Sequence, residues 1–175
     1  MKKSIENFFL WRLLIRLEQY ILVICSSGAM LVIVLSVIMR YILKSDLYGI
    51  EEIIVPLALW LYFIGGAYGS YEGSHISADI ITELIKSPKI IRGIKIFIAG
   101  AVLFCSAVFA KWGLDFIGWS IKVGGKSTSL QIPLLLSRIP LTICFVLMVL
   151  YSIYHLINVI MGRKPKIMKI GGGLE

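Results

Sequence analysis

The stretch YILVICSSGAMLVIVLSVIM, residues 20–39, contains no charged side chain and is followed directly by Arg40. A helix of about 20 apolar residues is long enough to cross the hydrocarbon core of a bilayer. In lipid the backbone polar groups can be satisfied only within the segment itself, so a stretch of this kind is helical. The sequence therefore predicts a first transmembrane helix at about residues 20–41.

Three further apolar stretches predict transmembrane helices at about residues 51–72, 92–112 and 134–161. The third stretch is short, and the long side chains of Lys95 and Lys111 that frame it can reach the membrane interface. Only 16% of the residues are charged and 58% are hydrophobic, whereas about a quarter of a soluble domain is charged. We therefore predict an all-α integral membrane protein with four transmembrane helices, forming a single domain at residues 1–170.

Two shorter segments have the pattern of helices that lie on a membrane. Residues 1–19 place Arg12 and Arg16 opposite an apolar arc, which predicts an N-terminal interfacial amphipathic helix. Between spans two and three, the stretch YEGSHISADIITELIK predicts a short cytoplasmic interfacial helix. The final residues, GGGLE at 171–175, resemble a linker or tag remnant.

The distribution of Lys and Arg predicts the orientation of the chain. Twelve of these residues lie in the N-terminal segment, the loop between spans two and three and the C-terminal tail, against six in the other two loops. Basic residues concentrate on the cytoplasmic side, so both termini are expected in the cytoplasm. The net charge of +8 is thus used for membrane topology and predicts no nucleic-acid partner.

Glycines recur every four residues in and just after the second span, at Gly65, Gly69 and Gly73. This spacing puts them on one face of a helix, where small residues let another helix approach closely. We expect this face to be a packing contact.

Four charged side chains lie near the predicted outer ends of the spans: Arg40, Glu51, Glu52 and Arg138. Charges at that depth are costly unless they are paired or face protein. Adjacent residues on a helix point about 100° apart, so the two glutamates cannot serve one partner equally. We expect Glu52 to point inward and pair with Arg40 or Arg138, and Glu51 to face a partner or lipid headgroups.

His75 and Asp79 are four residues apart and share one face of the predicted interfacial helix. A metal site would need further ligands that no neighbouring residue supplies, so neither a metal nor a cofactor is predicted. The alternative is a membrane b-type cytochrome, in which His75 and His155 clamp one haem between two helices.

Residues 39–85, MRYILKSDLYGIEEIIVPLALWLYFIGGAYGSYEGSHISADIITELI, resemble the small (Q) membrane subunit of the TRAP transporters, the tripartite ATP-independent periplasmic systems. The elements that carry the resemblance are Arg40-Tyr41, Glu51-Glu52, Trp60, Gly66-Ala67, and His75-Ile76 with Asp79. Further along, KSTSLQIPLLLSRIPL with Pro133 and Pro140 is similar to the family's approach to the fourth helix. The resemblance covers roughly residues 20–160.

The resemblance implies a non-enzymatic role in the bacterial inner membrane. A subunit of this family binds a large (M) permease subunit, which carries the substrate and sodium sites. A soluble periplasmic binding protein delivers an organic acid such as sialic acid or a C4-dicarboxylate. The small subunit is then a static scaffold beside a transport domain that moves like an elevator, and its other contacts are with membrane lipids.

Overall fold

The computed structural model describes residues 9–45, 48–72 and 88–161, which form four helices. In chain order they are α1 (Phe9–Tyr41), α2 (Glu51–Glu72), α3 (Pro88–Val123) and α4 (Leu135–Ile160). All four are long and apolar enough to cross a membrane. For the described residues, the prediction of an all-α chain with four helices long and apolar enough to span a membrane is confirmed.

Two of the helices extend well beyond the predicted spans. α1 begins at Phe9 and continues without a break past residue 20, because no Gly or Pro interrupts the chain before Gly28. The described part of the predicted N-terminal interfacial segment is therefore continuous with the first span. α3 runs from Pro88 past Lys111 to Val123, and it ends where Gly124 adopts a positive φ of 65°.

The predicted helix between spans two and three lies outside the described residues, as do Gly73, His75 and Asp79 within it. The GGGLE segment at residues 171–175 lies outside them as well.

The chain divides into two compact units, to which α2, α3 and α4 each contribute residues. The first unit comprises Met1–Gly65 and Gly113–Ile143, and Ile15, Ile64 and Pro140 are among its fully buried side chains. Glu18 of α1 is also buried in this unit, so a carboxylate that the sequence places on an interfacial helix lies inside protein.

The second unit comprises Gly66–Trp112 and Cys144–Glu175. Its core is built around two almost completely buried tyrosines, Tyr71 of α2 and Tyr151 of α4, whose ring centroids lie 5.4 Å apart. Buried small side chains of α3, Ala99 and Ala110, belong to the same unit.

Candidate functional site

The carboxylate of Glu52, in the first turn of α2, accepts four hydrogen bonds from one short stretch of chain. Oε2 accepts from the hydroxyl of Ser127 and from the backbone N–H of Leu130, both at 2.6 Å. Oε1 accepts from the hydroxyl of Thr128 at 3.0 Å and from the backbone N–H of Ser129 at 2.8 Å. A carboxylate can fill this role because both of its oxygens only accept. Glu52 therefore fastens the start of α2 to the loop between α3 and α4.

That loop, residues 124–134, is shaped to present these donors. Gly124 and Gly125 have φ values of 65° and 128°, a region that glycine occupies without the clash of a Cβ atom. An isolated antiparallel bridge joins Lys126 to Pro133, and Gln131 also has a positive φ of 57°. The chain thus doubles back on itself and directs the hydroxyls and amides of residues 127–130 at Glu52.

The expectation that Glu52 pairs with Arg40 or Arg138 is wrong. Its acceptor capacity is used by neutral hydroxyls and backbone amides. These donors lie more than 70 residues away in sequence, and no charge pattern reveals them.

Arg138 is held in the same unit by groups that carry no charge. Its guanidinium donates to the hydroxyl of the buried Ser120 at 2.7 Å. Its Cζ atom lies 5.5 Å from the ring centroid of Phe116 and 5.4 Å from that of Trp119. A guanidinium close to aromatic rings is stabilised by the negative face of each ring. Arg138 therefore joins the start of α4 to the end of α3.

Trp60 supplies a hydrogen bond that Pro140 removes from α4. In a regular helix the carbonyl of Leu136 accepts from the N–H four residues later, but Pro140 has no N–H. The indole N–H of Trp60 donates to that carbonyl instead, at 3.0 Å. The aromatic residue in α2 and the proline in α4 are thus two parts of one contact.

In the second unit, side chains from neighbouring helices donate hydrogen bonds to backbone carbonyls at the C-terminal ends of two helices. Nε2 of the buried His155 lies 3.1 Å from the carbonyl oxygen of Ser70 and 2.9 Å from that of Tyr71, in the last turn of α2. Both partners are acceptors, so this nitrogen carries the proton and donates. At the end of α4, the guanidinium of Arg92 donates to the carbonyl of Ile160. Helix ends leave such carbonyls without intrahelical donors.

The glycines make unequal contacts. A Cβ atom added to Gly65 would lie 3.6 Å from Leu22, and one added to Gly66 would lie 3.9 Å from Cys144, both ordinary van der Waals distances. One added to the buried Gly113 would lie 2.9 Å from Oγ1 and 3.3 Å from Cα of Thr142. The closest of these three helix contacts therefore lies at a glycine outside the predicted stripe. A packing role for Gly69, which is half-buried, stays a prediction.

Arg40 and Glu51 line a cavity of about 390 Å³ in the first unit. Its other walls come from Ser36 of α1, the short connection before α2 and Ser129 of the α3–α4 loop. Glu51 therefore faces a different environment from Glu52, as expected for neighbours on a helix. The described residues bring together no group of three or more His, Cys, Asp or Glu side chains.

Sequence reasoning missed the residues that complete these contacts: Ser127, Thr128, Thr142, Ser120 and Arg92. Hydroxyl residues inside apolar stretches, and the Ser-Thr-Ser run after two glycines, were the signals available. Each marks a place where a polar side chain must find a partner.

Comparison with known proteins gives one family match. The family model described as "Tripartite ATP-independent periplasmic transporters, DctQ component" matches residues 29–162. No curated protein matches the chain. The cytochrome alternative is not supported, since Nε2 of His155 is occupied by two carbonyls and the match is to a transporter component. The match covers well over half of the 175 residues, and the chain belongs to the DctQ family, the small membrane subunits of tripartite ATP-independent periplasmic transporters.

Proposed function

We propose that this chain is the static, non-catalytic scaffold subunit of a sodium-coupled TRAP transporter in the bacterial inner membrane. Its partner is the large permease subunit, which holds the substrate and sodium sites. A periplasmic binding protein docks on the complex and delivers an organic acid anion such as sialic acid or a C4-dicarboxylate. The small subunit widens the stationary part of the transporter and carries no substrate itself.

The main support for this proposal comes from what the polar side chains of the chain bind. Secondary transporters typically bind ions and substrates at interrupted helices, whose free ends point into the site. Here α1–α4 are each continuous. The side chains of Glu52, Arg92 and Arg138 bind a loop, a helix end and two aromatic rings. These groups serve to fix the helices, as a scaffold requires.

Long apolar faces support a role beside another membrane protein. Many large side chains of α1 are exposed along its length, among them Ile24, Met30, Leu31 and Leu35. Such a face suits either lipid tails or an apolar helix of a partner. We place the contacts with the large subunit along α1 and the glycine face of α2, including Gly69. We also include Gly73, His75 and Asp79, which follow α2 in the sequence.

Reconstitution tests the scaffold role directly. Liposomes that contain this chain alone should show no sodium-dependent uptake of a radiolabelled organic acid. Liposomes that contain it with the large subunit, supplied with the binding protein, should accumulate the acid when sodium is higher outside. Liposomes with the large subunit alone are the matched control. Sodium-driven uptake by this chain alone would refute the scaffold role.

Cysteine labelling tests the proposed orientation. In a background in which Cys25, Cys105 and Cys144 are replaced, a cysteine at position 48 should react with an impermeant maleimide from the periplasm. Position 48 is suitable because Tyr48 is 90% exposed. A cysteine at position 89, at the start of α3 and beside the basic segment that connects α2 with α3, should react only after lysis. The reverse pattern would place the termini in the periplasm.

A further inference from the structure

The cavity lined by Arg40 and Glu51 contains one positive and one negative side chain, and neither binds another group in the described part of the chain. Arg40 lies in the last turn of α1 and Glu51 is the first residue of α2, and both side chains are exposed. Among the described residues neither makes a hydrogen bond or an ion pair with the other or with a third group. Tyr48, Ser36 and Ser129 add hydroxyl groups to the same lining. A site of about 390 Å³ with opposite charges and several hydroxyls is suited to a small zwitterion.

The walls of this cavity are held in place by contacts already described. A Cβ atom added to Gly49 would lie 3.0 Å from Cβ of Ser129 and 3.1 Å from Leu130, so the connection before α2 packs directly on the α3–α4 loop. Gly49 also has a φ of 83°, which glycine adopts without strain. Glu52 accepts hydrogen bonds from the backbone N–H groups of Ser129 and Leu130 in the same loop. The cavity is therefore formed before a ligand arrives, which lowers the cost of binding.

We propose that this cavity binds the headgroup of a phospholipid that carries a phosphate and a primary ammonium, as phosphatidylethanolamine does. The guanidinium of Arg40 presents a fork of N–H donors that matches phosphate oxygens, and the hydroxyls of the lining donate to the same group. The carboxylate of Glu51 accepts from the ammonium. A headgroup with a net negative charge and no ammonium leaves Glu51 facing like charge.

The position of the cavity favours a membrane lipid over a soluble molecule. Arg40 lies at the end of an apolar helix long enough to span a bilayer. The residues that follow, Tyr41, Ile42 and Leu43, are each at least 60% exposed. Exposed apolar side chains next to a basic residue mark the boundary between hydrocarbon and headgroups. Acyl chains can therefore lie against the apolar side chains while the headgroup enters the cavity.

Native mass spectrometry of the delipidated full chain tests this assignment, with phosphatidylethanolamine and phosphatidylglycerol of identical acyl chains as probes. The wild-type chain should retain phosphatidylethanolamine about fivefold better than phosphatidylglycerol. Arg40→Gln should weaken retention of both lipids, because both carry the phosphate. Glu51→Gln should remove the preference between them, because only one of them carries an ammonium. Arg40→Lys should retain part of the binding.

Matched controls are Lys122→Gln and Asp115→Asn, which remove exposed charges of α3 that do not line the cavity. Both should bind as the wild type does, and size-exclusion profiles should show that every variant is folded. Equal retention of the two lipids by the wild type would overturn the proposal. So would displacement of the lipid by submillimolar soluble phosphoethanolamine, which would make the ligand a free zwitterion. If Arg40→Gln retains the lipid as the wild type does but no longer co-purifies with the large subunit, Arg40 belongs to the subunit interface instead.

Discussion

Glu52→Gln should lower the melting temperature of the purified chain by several degrees, while Glu51→Gln should change it by no more than about 1–2 °C. The two residues are adjacent in the first turn of α2, so the pair is a matched comparison. Glu52 accepts four hydrogen bonds from the α3–α4 loop. Glu51 is exposed at the edge of the cavity.

The expected loss follows from the chemistry of the amide. Gln retains one acceptor oxygen and replaces the other with an NH₂ group, which only donates. Each carboxylate oxygen of Glu52 faces one hydroxyl and one backbone N–H. The NH₂ group therefore opposes either the N–H of Ser129 or that of Leu130, and that amide loses its acceptor. The start of α2 is then held to the loop by one acceptor oxygen instead of two.

Limited trypsin digestion provides a second readout of the same change. Lys126 is an exposed cleavage site in the α3–α4 loop. Cleavage there should become about five- to tenfold faster in Glu52→Gln, because the loop opens more often. Ser127→Ala should act in the same direction, since the Ser127 hydroxyl both donates to Glu52 and accepts from the N–H of Ile132. Unchanged cleavage and equal melting temperatures for the Glu51 and Glu52 variants would show that the loop does not depend on this carboxylate.

Gly113→Leu is expected to destabilise the protein by about 1–3 kcal/mol or more, as overpacking does. Even a Cβ atom at this position would lie 2.9 Å from Oγ1 and 3.3 Å from Cα of Thr142. The hydroxyl of Thr142 donates to the carbonyl of Gly113 at 2.8 Å, so the clash also disturbs this hydrogen bond. Both residues are buried, and α3 must move away from α4 to admit a side chain. Thermal unfolding in detergent measures the effect.

The smaller change Gly113→Ala tests the same contact and has a matched control in Gly118→Ala. Both glycines lie in α3, but the space around Gly118 is open. Alanine should be neutral or slightly stabilising at position 118, where only helix propensity changes. Thr142→Ala should partly rescue Gly113→Ala, since it removes the nearest obstructing atom and leaves the backbone contact. A Gly113→Ala variant as stable as Gly118→Ala would show that the helices do not approach closely at this point.

The helices were predictable because apolar length is a local property of sequence. α2 and α4 begin and end within one residue of the predicted spans. The start of α1 and the end of α3 were harder to predict, because Arg16 and Lys111 interrupt the apolar pattern while the backbone stays helical on either side of each. A charge limits the hydrocarbon-facing part of a helix, but only a backbone constraint such as that at Gly124 ends the helix itself.

The polar contacts were predictable only in part, for a physical reason. The two glutamates do face different environments, as their positions on a helix require. Two of the four donors to Glu52 could not be derived, because backbone amides leave no mark in composition or charge. Likewise, glycines that recur every four residues predicted a packing face on α2. The closest of the three helix contacts compared above instead involves Gly113 of α3, which belongs to no such repeat.

The contact between Trp60 and α4 bears on how the protein is made. Ribosomes release α2 before α4, so the indole is already available when the proline-containing helix enters the bilayer. Leu136 lies in the first turn of α4, close to the predicted membrane boundary, so without the indole its carbonyl would have to find water or stay without a donor. The indole N–H can fill this gap as soon as α4 packs against α2. We therefore expect a Trp60→Phe variant to assemble its last span less efficiently than the wild type.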